Sequence, residues 1–153
     1  MTGVRDGEPW TVRTAEGDDL GAAMALRHAV FCVEQGVPEE LETDEHDERA
    51  LHLVAVADGV VVGTCRLVVE GGSARLGRMA VARSHRGRGV GADLLGAAHR
   101  QAQAAGAAEV ELHSQLPARD FYERAGYVPE GDEFEEAGIA HVVMRRPLPS
   151  APP

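Results

Sequence analysis

Residues 76–95 read LGRMAVARSHRGRGVGADLL. The segment ARLGRMAVA at 74–82 has the composition of a β-strand. From Val90 onward an apolar stripe recurs at helical spacing through Leu94, Leu95, Ala98, Ala102 and Ala105, with Gly106 placed to end the helix. Arg86-Gly87-Arg88-Gly89-Val90-Gly91 joins the two. Glycines there admit positive φ and let backbone come close to a ligand. A helix N-terminus adds unpaired N–H groups and about half a positive charge. The combination cradles an anion, phosphate above all. Arg83, Arg86 and Arg88 add further positive charge.

Two familiar phosphate loops fail on this stretch. The ATP-binding P-loop needs Lys-Ser/Thr after its last glycine, and Ala92-Asp93 follow Gly91. Residues 87–92 do match the dinucleotide pattern G-x-G-x-x-G/A, with Glu109 about 20 residues on. However, too little chain follows Gly91 for a doubly wound sheet. The loop also comes after three hairpin-type strands, where a dinucleotide fold would begin with βαβ.

Outward from the loop, WTVRT at 10–14 suits a short strand. Asp18 or Asp19 can cap a helix running through Leu20, Met24 and Phe31 and ended by Gly36 and Pro38. Residues 39–48 read as a loop with a helical turn. LHLVAVA at 51–57 and VVVGTCRLVV at 60–69 flank Asp58-Gly59, a hairpin signal. EVELH at 109–113 is a strand, Pro117 opens a short helix closed by Gly126, and 127–128 and 140–146 are strands. The order β-α-β-β-β-α-β-α-β-β predicts an α/β (α+β) domain with a mixed, mostly antiparallel central sheet flanked by helices. It divides into an arm over 1–9, one domain over 10–147 and a tail over 148–153 expected to fray.

Composition narrows the partners. The 153 residues carry 25 acids against 15 basic residues, all arginine, for a net charge of −10. No lysine means no lysine nucleophile and no Schiff base. The net charge argues against nucleic acid and anionic membranes as partners. Cys32 and Cys65 are too few for a disulfide framework and read as buried, unreactive thiols. No signal-type leader or membrane-length apolar run is present, so a soluble, cytoplasmic protein is expected. The charge is sorted along the chain: residues 34–48 and 130–136 are acidic runs, whereas 66–88 hold six arginines against Glu70. Acidic runs read first as solvated faces. On that reading His46, between acids without ligand spacing, belongs to a solvated loop rather than a metal site, and no metal is expected.

Arg86-x-x-Gly89-x-Gly91 also matches the R/Q-x-x-G-x-G/A loop of the GNAT N-acetyltransferase superfamily, and the likeness extends to both sides. QLPARDFYERAGY at 115–127 resembles the family's second strand–helix unit. VFCVEQGVPEELETDEHDERALHLVAV and GIAHVVMRR resemble its small ElaA/YjcF-like branch. The resemblance covers roughly residues 10–147 and implies the GNAT acyl-CoA N-acyltransferase fold, with acetyl-CoA as cosubstrate and an amine as acceptor.

Carried over by position, the resemblance implies that Met79, Ala80 and Val81 offer main-chain groups to the pantetheine arm, whose amides suit strand-like pairing. Arg86, Gly87, Arg88, Gly89, Val90 and Gly91 would hold the pyrophosphate, and Gln115 stands where the family often has Asn. Tyr122 is the expected general acid for the departing thiolate, its other reading being a buried aromatic. Phe121 reads as core. The strand on which several family members carry a Glu has Arg78 and no acid between Leu76 and Val81. The general base must therefore come from elsewhere. Glu34 and His113 are the leading candidates, with Glu111 and His141 behind them. The acidic stretches could favour a cationic amine, and the C-terminal strand would permit a homodimer. A non-catalytic acyl-CoA-binding or sensing module on the same fold is the alternative.

Overall fold

The computed structural model describes residues 4–5 and 8–150. Of the expected arm, Val4–Arg5 and Glu8–Pro9 pair as a short antiparallel ribbon, and residues 1–3 and 6–7 lie outside the described residues. The main body is a seven-stranded sheet. Its strands are β1 (Thr11–Thr14), β2 (Leu51–Ala57), β3 (Val60–Glu70), β4 (Ser73–Val81), β5 (Glu109–Gln115), β6 (Val128–Glu136) and β7 (Ile139–Pro147). Their spatial order is β1-β2-β3-β4-β5-β7-β6. Only β4 and β5 run parallel; every other neighbouring pair is antiparallel. The expected mixed sheet and element order are both present.

The helices are α1 (Asp19–Arg27), α2 (Glu39–Glu42), α3 (Val90–Ala104) and α4 (Arg119–Arg124). None among the described residues is long and apolar enough to cross a membrane. Asp18 occupies the N-cap of α1 without a side-chain bond. Asp19, the first helical residue, instead fixes the chain entering the helix, its carboxylate accepting the Glu16 N–H at 3.1 Å and the Arg13 guanidinium at 2.9 Å. Beyond Arg27 the helix widens into π-type turns over His28–Glu34, and Gly36 at φ 76° ends it.

The stripe of α3 is buried as its spacing predicts, at Val90, Leu94, Leu95, Ala98 and Ala102, while Ala105 is already the exposed C-cap. Each fully buried leucine there stabilises the fold by roughly 1.5–3 kcal/mol. The helix sits unusually close to the sheet at Gly63, where a Cβ would stand 2.7 Å from Val90 Cγ1 and 2.9 Å from Leu94 Cδ1. Trp10, fully buried, locks the start of the sheet to the same helix by donating Nε1–H to Asp93 at 2.8 Å.

Three expectations need correction. The acidic segment 39–48 has the expected helical turn and exposes Glu39, Glu40, Glu45 and Glu48, but it is not a solvated loop throughout. It forms α2 and a 3₁₀ turn at Glu45–Glu48, with Asp44 and Asp47 making a reciprocal cap. Three of its acids, Glu42, Asp44 and Asp47, face three arginines. Arg27, 1% exposed, meets Glu42 at 2.6 Å and Asp47 at 2.8 Å. Arg66 meets Asp44 at 2.7 Å, and Arg78 reaches the Glu42 carbonyl at 2.8 Å. Buried charges persist when they are paired and hydrogen-bonded in this way. Secondly, the strand expected at 127–128 runs over Val128–Glu136, so the acidic run 130–136, exposed as expected, lies at the edge of the sheet, where Pro129 and a register break between Glu130 and Phe134 are tolerated. Thirdly, the tail does not fray at 148. The Leu148 N–H reaches the Ala108 carbonyl at 2.8 Å, and Gln103 holds the Pro149 carbonyl at 2.9 Å. Residues 151–153 lie outside the described residues.

Candidate active site

The parallel ladder between β4 and β5 runs only from Ser73–Glu109 to Leu76–Leu112. Beyond it the two strands part, and a cavity of about 870 Å³ passes through the fork. A bulge in β4 assists the divergence. Arg66 pairs with Gly77 and Thr64 with Ala80, so Arg78 and Met79 together oppose the single Cys65 of β3. An extra residue of this kind bends its strand and increases its twist. Arg78 takes φ 54°, a left-handed conformation rare outside glycine. Met79, Ala80 and Val81 then keep β3 on one edge and present the other to the cavity.

The glycine loop closes one mouth. After a turn at Arg83–His85, Gly87 at φ 75° and Gly89 at φ 100° lead into α3. The first bond of α3 runs from the Asp93 N–H to the Gly89 carbonyl at 3.0 Å. The N–H groups of Val90, Gly91 and Ala92 therefore precede the helical ladder, at its positive end. A Cβ on Gly91 would stand 3.3 Å from Phe121 Cζ, so Phe121 of α4 covers the loop as well as packing on the core. Such a cradle, lined by backbone and free of side-chain bulk, fits a diphosphate.

The arginines divide. Arg86 donates Nε–H to the Val81 carbonyl at 2.9 Å and both terminal nitrogens to Glu34 at 2.8 Å. Arg88 is exposed and is not among the residues lining the cavity. Glu34 is thus clamped. Hydrogen bonding from Arg86 holds its carboxyl at about 2, with Arg83 also nearby at 3.6 Å. A carboxylate held there is a weak proton acceptor, which removes much of the case for Glu34 as a base.

Tyr122 lies on α4 in the cavity wall and is 8% exposed. Its ring meets Phe121 and Tyr127 edge-on at 4.9 and 5.7 Å. Burial pushes its phenol above the ordinary range, so it stays protonated. Gln115, at the end of β5, donates to Gln35 at 2.8 Å and ties β5 to the end of the first helix.

The other mouth is built on one face of β5 and β7. His113 faces Val143 and Gln115 faces His141, so these side chains share the face opposite Leu112 and Met144. His113 Nδ1 is 2.8 Å from Glu136, and its ring meets Phe134 edge-on at 5.2 Å. His141 is buried, stacks on Phe134 at 5.9 Å and donates Nδ1–H to the Ile139 carbonyl at 2.7 Å. Glu111 is taken by Arg145 at 2.5 Å. Cys65 is buried, and burial pushes its thiol up to about 12. The sequence reading named His113 and His141 but missed Glu136 and Phe134. The available signal was Ala137-Gly138, both at positive φ, a two-residue turn that places Phe134 opposite His141.

Comparison with known proteins agrees with this architecture. The family model described as "Acetyltransferase (GNAT) domain" matches residues 13–148. The chain is 36% identical over 130 residues to the uncharacterised N-acetyltransferase YjcF of Bacillus subtilis, covering 84% of this chain and 93% of that one. The crystal structure of Escherichia coli ElaA superposes with a TM-score of 0.79 at 26% identity, covering 91% and 99% of the two chains. An acyl-CoA N-acyltransferase from Pseudomonas aeruginosa gives 0.74 at 28% identity, covering 91% and 99%. With the forked strands, the glycine cradle and most of its length matched, this chain belongs to the GNAT family of N-acetyltransferases.

Proposed function

We propose that the protein transfers an acetyl group from acetyl-CoA directly to the nitrogen of an amine. The observation that carries this reading is a single cavity with main-chain groups and a glycine cradle at one mouth, Tyr122 in its wall and imidazoles at the other. Acetyl-CoA would supply an acyl group activated as a thioester. Met79, Ala80 and Val81 would align the pantetheine arm, and residues 86–91 the pyrophosphate. Tyr122 holds a proton at its phenol oxygen for the leaving sulfur. His113 takes the amine proton, since it is the first residue of β5 beyond the last paired position, Leu112. Holding amine and thioester in register supplies much of the rate, to which proton transfer adds.

The acceptor is an amine approaching past Phe31, Val37, Leu41 and Ile139. The acids of 34–48 that line this mouth give little net field, because Glu34 is matched by Arg86, Glu42 by Arg27, and Asp44 by Arg66. Selection for a cationic amine therefore has weak support in the geometry. Coenzyme A release from acetyl-CoA across an amine panel tests the enzyme reading. Tight CoA binding without turnover on any amine would instead favour the acyl-CoA sensor.

A further inference from the structure

We propose that Glu136 is the positioning residue of the proton acceptor, holding the His113 ring so that Nε2 is bare toward the incoming amine. The proposal rests on the acetyl-transfer reading of the same cavity. A carboxylate only accepts, so the 2.8 Å contact places the hydrogen on His113 Nδ1. In the neutral imidazole this leaves the Nε2 lone pair free to take a proton.

The ring is fixed on a second side. Phe134 meets it edge-on, with the two planes at 82°. Phe134 is in turn stacked on His141, whose own Nδ1 is tied to the Ile139 carbonyl. Glu136 reaches His113 because the turn at Ala137-Gly138 pairs Glu136 with Ile139 and Phe134 with His141. The charged and titratable groups acting on Glu136 are His113 first, then His141 and Arg78, and together they keep its carboxyl ionised. An ionised Glu136 offsets the positive charge that His113 acquires, the logic of a base oriented by an acid.

The step balances. The amine nitrogen forms the C–N bond to the acyl carbon and gives its proton to His113 Nε2. The C–S bond breaks, and the sulfur takes the Tyr122 phenol proton. His113 then loses its proton to solvent and Tyr122 regains one.

The test uses the full chain with acetyl-CoA and three acceptors: phenethylamine, spermidine and an alanyl peptide. Glu136→Met has similar length without acceptor oxygens. It should lower kcat by about ten- to a hundredfold, with KM for acetyl-CoA unchanged. On a His113→Gln background it should cost less than about twofold, since groups acting as a unit are not additive. Imidazole 15N spectra should show His113 as the Nδ1–H tautomer in the wild type and shifted toward Nε2–H in Glu136→Met. Glu136→Gln keeps one acceptor oxygen and should recover part of the rate. It also replaces Glu136→Met if that variant lacks a cooperative melting transition. Equal losses in both backgrounds, or an unchanged tautomer, would overturn the orienting role. If the wild type binds acetyl-CoA but turns over none of the three acceptors, the transfer reading falls and the catalytic role with it. The spectra need no acceptor and separate that failure from a failure of the Glu136–His113 contact.

Discussion

At the mouth closed by the glycine loop, most of the working groups are main-chain: the free edge of Met79–Val81 and the N–H groups ahead of Asp93. At the opposite mouth they are side chains, gathered from β5, β6 and β7 and walled by the first helix and α2. The first is specified by what is absent, namely Cβ atoms and helical partners. The second is specified by which residues meet across strands. The two should therefore fail differently. A backbone site is lost when the chain cannot adopt its conformation, whereas a side-chain site is lost through the particular groups that are replaced, coupled ones together.

The largest effect should come from breaking the first mouth. Gly89→Val places a β-branched residue at φ 100°, and calorimetry should find CoA binding abolished while the protein still folds. Retained affinity would refute the cradle. Tyr122→Phe should lower turnover by about a hundredfold and leave CoA affinity near its original value. Unchanged turnover would move the acid elsewhere. That pair of results would separate binding at one mouth from chemistry within the cavity.

The third variant probes the wall of the acceptor mouth. Arg27→Met strands Glu42, which it now meets at 2.6 Å, and leaves Asp47 with Arg66 at 3.1 Å in place of two arginines. Removing one partner of a buried ionic cluster costs about 3–5 kcal/mol, readable as a lower denaturant midpoint. A change within error would mean that the cluster is only surface charge. The smallest effect lies at His99 on α3. Arg146 donates to its Nδ1, so Nε2–H donates to the Tyr127 hydroxyl at 2.7 Å. Burial, with Arg146 and Arg100 adding, lowers its pKa from 6.5 to about 4. Between those values the unfolded chain binds a proton that the folded chain does not, so stability should fall as pH drops through that window. His99→Gln should flatten the slope, and a parallel slope in the variant would assign it to another group.

The same division explains what could be read beforehand. Arg86-x-x-Gly89-x-Gly91, the α3 stripe and Tyr122 lie within short stretches whose spacing carries their meaning, and the fold order followed from hairpin and cap signals of the same local kind. The bulge at Arg78 was not legible, because it exists only in register with β3. Nor was the pairing of Glu42, Asp44 and Asp47, whose arginine partners at 27, 66 and 78 are spread along the chain. Glu34 shows the cost: as sequence it is an available carboxylate, and only the fold brings Arg86 to it.

Arg78 carries one more implication. By opposing Cys65 together with Met79, it shifts the alternation of β4, and its side chain pins the carbonyls of Leu41 and Glu42. Deleting this one residue would let β4 pair regularly, with residues 79–81 keeping their β3 partners, and would remove the bend that carries β4 away from β5. The sheet would keep its strands and much of its core, yet lose the fork beside the cavity and its hold on Leu41 and Glu42 together. In this fold one inserted position opposite Cys65 both parts the strands and anchors the neighbouring helix, so a single residue ties the cavity to its wall.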